Sequence, residues 1–275
     1  MLVLSCEQFT YVFNKLTGLF DKMTFANEPL LDQPMGFNVW RAPTDNDRKL
    51  KADWYAAHYD HAATNAYHTE YTVTASGVTL HTHVGIAAIC VQKFLDLDVT
   101  WTVANNGSVD LALHAQRNTV FPELPRFGLR LFLPQEMSQV NYYGMGPMEC
   151  YRDKHHAASH SSYTATVWQL HEDYIRPQEN GSHFDCDYVM LAGDAVRLTA
   201  VGTQPFSFNA SHYTQEELTR KAHNYELEPC GSTVLCLDYA QNGIGSESCG
   251  PRLLEQYRLD DATFNFGLRL FPEKK

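Results

Sequence analysis

Phe9-Thr-Tyr11-Val-Phe13, the turn Asn14-Lys-Leu-Thr-Gly18 and Leu19-Phe20-Asp-Lys-Met23 decide the fold class of this 275-residue chain. Apolar and polar residues alternate with the period of two that sends successive side chains to opposite faces of a strand, and the Asn-to-Gly stretch supplies the reversal. That is a β-hairpin, the unit from which antiparallel sheets are built. Outward from it, the same signature predicts strands at residues 69–74, 78–84, 88–97, 98–104, 111–119, 128–133 and 139–144. It returns at 196–203, 205–210, 233–240 and 263–271. Ala75-Ser-Gly77, Asn105-Asn-Gly107 and Pro122-Glu-Leu-Pro125 punctuate the pattern as turns. Met1-Leu-Val-Leu-Ser-Cys6 lacks the basic start and long apolar run of a secretory signal, and reads as a first strand.

Helix signals are few. Asp53 can cap a helix over residues 54–66, with Trp54, His58 and His61 on one face. A second, short helix opens at Thr214, where Glu217 completes a capping box and Tyr213 can staple against Leu218. Many short strands and little helix predict an all-β antiparallel sandwich, and no linker or repeat divides residues 1–275, so one domain is expected.

Composition narrows the function. The apolar fraction is 44%, with 15 Tyr, 15 Phe and 4 Trp, which suits an ordered globule with a large core. A net charge of −11, from 21 basic and 32 acidic residues, repels phosphate backbones and anionic lipid, so neither nucleic acid nor membrane is an expected partner. No run approaches the roughly 20 apolar residues that span a bilayer. Seven widely spread cysteines, an odd number, read as reduced thiols in a cytoplasmic protein. The 13 histidines show no zinc-ligand spacing beyond the weak His58-x-x-His61, and no phosphate loop or nucleophile elbow occurs.

Four motifs carry more. The first is Asn38-Val-Trp-Arg41-Ala-Pro-Thr-Asp45-Asn46-Asp47-Arg48, a proline-containing loop rich in side chains that bond to backbone. The second is Tyr142-Tyr-Gly-Met-Gly146-Pro-Met-Glu149-Cys150-Tyr151-Arg152-Asp153-Lys154, and the third Pro177-Gln-Glu-Asn180-Gly181. Gln241-Asn242-Gly-Ile-Gly-Ser-Glu-Ser248-Cys249-Gly-Pro251 is the fourth. Acids two apart on an extended chain share a face, so Glu149, Tyr151 and Asp153 could pass for an acid–base pair; a surface salt network with Arg152 and Lys154 is the expected reading.

In order and spacing, these motifs resemble the C-terminal, small-chain domain of bacterial β-galactosidases of the lactose-operon type, glycoside hydrolase family two, from about Phe13 to Phe271. The resemblance implies a large two-sheet antiparallel supersandwich of the galactose-mutarotase-like type. It also implies that both catalytic glutamates, held about 5 to 5.5 Å apart in a retaining enzyme, lie on a barrel domain that these residues cannot form. The chain is then a non-catalytic excised domain or small subunit, inactive alone. Its partners would be the barrel-bearing large subunit and, in the assembly, a galactoside such as lactose. Mg2+ and Na+ would be held by other domains, with no cofactor here.

The family's substrate-side loop falls on Asn242, Ser248 and Cys249. Cys249 stands where a tryptophan is common, which predicts a roomier subsite without an aromatic platform. Arg41, Asp45, Asn46, Asp47 and Trp54 would form the rim facing the barrel, with residues 48–53 as a loop near the active site. Gly146, Glu149, Tyr151, Asp153 and Asn180 are expected to be structural. Cys150, Arg152 and Lys154 depart from the family pattern, as do Ser182 and His183 after Gly181. Three rivals stay open: an autonomous mutarotase-like aldose epimerase using His114, His160, His212, Glu123 or Glu226, a carbohydrate-binding module, or an oligomerisation module.

Overall fold

The computed structural model describes residues 1–245 and 247–275. The expected hairpin is present. Strands β1 (Leu2–Ser5), β2 (Phe9–Asn14), β3 (Leu19–Phe25) and β4 (Glu28–Pro29) form a four-stranded antiparallel sheet in that order. Gly18, at φ +74, closes the β2–β3 turn where a side chain would be strained. Tyr11, Phe13, Phe20 and Met23 point inward and are sealed.

Twelve further strands make the second sheet: β5 (Gln33–Asn38), β6 (Ala63–Thr74), β7 (Gly77–Ala87), β8 (Leu95–Ala104), β9 (Val109–Arg117), β10 (Arg126–Pro134), β11 (Gln139–Gly146), β12 (Ser159–Thr166), β13 (Ser182–Ala192), β14 (Val196–Ser211), β15 (Ser232–Gln241) and β16 (Thr263–Lys274). Its long path runs β12-β11-β13-β14-β16-β9-β8-β7-β6. A branch leaves β14 through β15 and β10 to β5. The cause is β14 itself: its first part pairs with β16 from Val196 to Gly202, and its second pairs with β15 from Ser207 to Ser211. Pro205, which has no amide to donate, sits in the gap. The sheet therefore forks.

The two sheets share one core. Phe20 meets Trp101 of β8 edge-on at 5.3 Å, Trp101 Nε1 donates to the Gly18 carbonyl at 2.9 Å, and Tyr11 donates to the Gly107 carbonyl at 2.6 Å. Along β8 every second residue from Leu95 to Val103 is buried, the period the sequence showed. Each such large apolar side chain contributes roughly 1.5–3 kcal/mol by leaving water.

Several boundaries differ from the sequence reading. Helix α1 spans Leu50–Ala56, with Asp53 inside it rather than capping it, and His58 takes a left-handed φ of 56° just beyond its end. Residues 63–66 then open β6 instead of extending the helix. Of the proposed helical face only Trp54 is buried; His58 and His61 are exposed and supply no apolar stripe to dock. Residues 88–94 connect β7 to β8 and are not a strand, because the Ile86↔Leu95 pairing forces the chain to reverse between them. The segments 196–203 and 205–210 are one strand, β14. β12 and β13 were not foreseen.

Helix α2 (Gln215–Arg220) starts where expected, with the Thr214 hydroxyl accepting the Glu217 amide at 3.1 Å. Glu217 does not return the bond to Thr214. Its carboxylate instead accepts the Glu228 amide at 3.1 Å and pairs with Arg220 and Lys221. Tyr213 packs on the rings of Trp168 and His171.

Candidate functional site

The loop that leaves β15 at Gln241 is held from below by three side chains of the first two motifs. Arg41, fully buried, donates to the carbonyls of Asn242 and Gly243 and pairs with Asp47 at 2.7 Å. Its guanidinium lies 5.1 Å from the ring centre of Trp54, which is itself sealed and donates to the Glu123 carbonyl at 2.9 Å. Asn46 Nδ2 donates to the Ile244 carbonyl at 2.6 Å. Asp153 accepts the amides of Ile244 and Gly245 at 3.0 and 2.7 Å. A Cβ at Gly243 would stand 2.7 Å from the Asp153 carboxylate, so the close approach requires glycine there.

Arg48 donates to the Ser248 carbonyl at 2.7 Å, and Cys249 is exposed. The loop's base is pinned by Asn242: its amide donates to the Pro125 carbonyl, and its Oδ1 accepts the Leu259 amide at 2.9 Å. The result is a rigid stem carrying an exposed tip, assembled from parts of the chain about two hundred residues apart. Ser246, within this loop, lies outside the described residues.

A profile of the family described as "Beta galactosidase small chain" matches residues 5–270. The chain belongs to the β-galactosidase small-chain family. It is 43% identical to the β-galactosidase of Actinobacillus pleuropneumoniae over 97% of its own length, and 38% identical to that of Staphylococcus xylosus over 95%. It spans 26% of the length of each. In fold it is similar to a galactose mutarotase-like protein from Lactobacillus casei, with a TM-score of 0.51 at 11% identity over 99% of this chain and 100% of that one. Galactose 1-epimerase from Lactobacillus acidophilus gives 0.51 at 8% identity over 99% and 93%.

Within this small-chain fold, the second and third motifs prove to be interior ties. Glu149, 8% exposed, accepts from Lys154, from the Tyr174 hydroxyl and from the Gly181 amide, so the expected surface salt network is instead a largely buried junction. Tyr151 is sealed, and burial holds its phenol well above the ordinary tyrosine range. Asn180 caps the Glu172 amide, and its carbonyl accepts from Asn209. Gly146 is pressed by Tyr142 and Tyr163, which a side chain there would strike. The acid–base pair is not formed: Asp153 serves the loop and Glu149 the Gly181 turn. Asp45 is peripheral, with its amide bonded to Gln178 and a long 3.7 Å contact to Arg176. Residues 48–53 are not an open loop, since α1 occupies them from Leu50 onward.

One polar centre escaped the sequence reading. Arg126, fully buried, bonds Asp238 through two nitrogens, Glu179 at 3.1 Å and Asn209 at 3.0 Å; Gln241 Nε2 joins through Asn209 and Ser182. The signal was visible in Val-Leu-Cys-Leu-Asp238, a charge within an apolar strand. Burial pushes the Cys236 thiol beside it up to about 11.

The rival acid–base candidates do not meet. His114 bonds Asn265, His160 the Asp185 carbonyl, His212 the Ser232 carbonyl, Glu123 Arg252, and Glu226 the amides of Ala222 and His223. Among the described residues, no group of three or more His, Cys, Asp or Glu converges as a metal site, and no helix is long and apolar enough to cross a membrane.

Proposed function

We propose that this chain is the non-catalytic small-chain part of a β-galactosidase. It docks on a barrel-bearing remainder and completes the outer wall of a pocket that hydrolyses terminal β-D-galactosides such as lactose. The observation that carries this reading is the anchored loop. Arg41, Asn46 and Asp153 spend their hydrogen bonds on fixing residues 242–245, while Cys249 is left exposed at the tip, an arrangement suited to presenting a loop to something outside the chain. The relatives' remaining length, about three quarters of each, is the natural source of the two catalytic carboxylates. The Mg2+ and Na+ of the assembly are assigned to that remainder.

A cytoplasmic setting is part of the proposal, supported by seven cysteines that are all free thiols. Binding is the direct test. Mixed with the barrel-bearing remainder, the chain should co-elute in a defined ratio, and replacing Arg41 by Ala should weaken that association. Independent elution at micromolar concentrations would refute the docking role.

A further inference from the structure

Strand β6 ends the long path of the large sheet and pairs on one side only, with β7. Its first part is covered, since the Ala66 amide points away from β7 and donates to the Leu16 carbonyl in the β2–β3 turn at 2.8 Å. Beyond the register shift between Ala66 and His68, the edge runs to the turn after Thr74 with no described strand paired to it. Thr74 and Gly77 close that two-residue turn as a pair. Bonded and unbonded pairs alternate in an antiparallel ladder, so His68, Glu70 and Thr72 bond to β7 while the amides and carbonyls of Thr69, Tyr71 and Val73 face outward. Tyr71 lies opposite Leu80 and Val73 opposite Val78, on the core-facing side of the sheet. Leu80 is sealed, yet Tyr71 is 54% exposed and Val73 68%.

Edge strands are ordinarily guarded by lysine, proline or a bulge that turns them away from other chains. His68-Thr-Glu-Tyr-Thr-Val-Thr74 has no lysine, no proline and no further register shift, and its one carboxylate, Glu70, is held by His68 at 2.9 Å. The segment is also complementary to itself. Laid antiparallel on a second copy with Tyr71 at the two-fold axis, it sets Tyr71 against Tyr71, Thr69 against Val73 and Glu70 against Thr72. The outward amides and carbonyls then close three bonded pairs, with two hydrogen bonds in each, and no like charges meet. A centre at Glu70 would oppose two carboxylates, and one at Thr72 would leave Thr69 facing the turn.

We propose that β6 is a docking edge for a second copy of this chain, the two copies joining across residues 68–74 so that the large sheet of one runs on into that of the other. Tyr71 lies roughly 26 Å along β6 from Ala63, the end of the strand nearest α1, at the ordinary rise of a strand. The inference therefore goes beyond the wall role and does not rest on it. Sedimentation of the 275-residue chain, with amide hydrogen exchange at the lowest and highest concentrations, tests it. A contact this short predicts a monomer–dimer equilibrium with Kd on the order of 10–100 µM. Exchange at Thr69, Tyr71 and Val73 should slow as the dimer forms, whereas Glu70 and Thr72, bonded within one copy, should be protected at every concentration. Tyr71→Lys should weaken association by about tenfold or more. Tyr71→Pro should do the same, because it removes an outward amide and takes no bond from the β6–β7 ladder. The proposal is overturned by a monomer at every concentration up to about 500 µM, well above that Kd, by a dimer that folded Tyr71→Lys leaves intact, or by protection that rises evenly from His68 to Thr74. It is equally overturned if the three outward amides become protected only on adding the barrel-bearing remainder, which would make the edge that partner's.

Discussion

Asp153 Oδ2 lies 2.7 Å from the amide nitrogen of Gly245, and this contact joins the second sequence motif to the loop of the fourth. The same carboxylate takes the Ile244 amide, so one side chain satisfies two consecutive backbone donors. Asp153→Ala should therefore destabilise the chain by about 1–3 kcal/mol and raise the KM of the assembled enzyme, with kcat less affected. Urea midpoints and steady-state kinetics check this. Unchanged values in both would mean that the loop is held by other contacts.

The sealed ion cluster makes a larger demand on stability. Asp238→Ala strands the Arg126 guanidinium without its bidentate partner and should cost about 3–5 kcal/mol. Replacing Arg126, Asp238 and Glu179 together by apolar residues removes every charge of the cluster and should recover much of that loss. Denaturant unfolding of the two variants decides. Equal losses in the single and triple variants would contradict the account.

His183 sets an acid limit. It is buried against Tyr142 and Phe208, and burial lowers its pKa from 6.5 to about 4. The unfolded chain binds the proton more readily, so stability is intact above pH 6.5 and lost as pH falls from there towards 4, by about 3 kcal/mol in total. His171 and His212 are lowered in the same direction by burial. His183→Phe should flatten the slope of melting temperature against pH across this window, leaving the smaller part due to the other two. An unaltered slope would remove His183 as its cause.

The cysteines report on docking. Cys6, Cys90 and Cys249 are exposed, whereas Cys150, Cys186 and Cys236 are buried, with the Cys150 thiol pushed up to about 11. Mass spectrometry after brief alkylation should find the first three modified and the last three intact. Adding the barrel-bearing remainder should protect Cys249. In that assembly Cys249→Trp should lower KM for galactosides by giving the sugar a flat apolar platform; a higher KM would show that the position does not face substrate.

Strands with clean alternation, such as β2, β3 and β8, were legible because one face is core and the other solvent. β12 was not: Ser159-His-Ser-Ser-Tyr-Thr-Ala-Thr166 is an edge strand with little to bury, so its sequence carries no period. The forking of β14 depends on two partners far away in sequence, and no local pattern encodes it. The site was legible as motifs but not as geometry. Arg41 stood out as a residue, yet its partners Asn242 and Gly243 lie two hundred positions away, and only the fold shows that the first motif carries the fourth.

The most direct measurement is the rate of nitrophenyl β-galactoside hydrolysis by the purified chain, before and after adding stoichiometric barrel-bearing remainder. We expect no rate above the uncatalysed background from the chain alone and robust hydrolysis once the remainder is present. Turnover by the chain alone would contradict the account, because it would place a working acid and nucleophile within these strands.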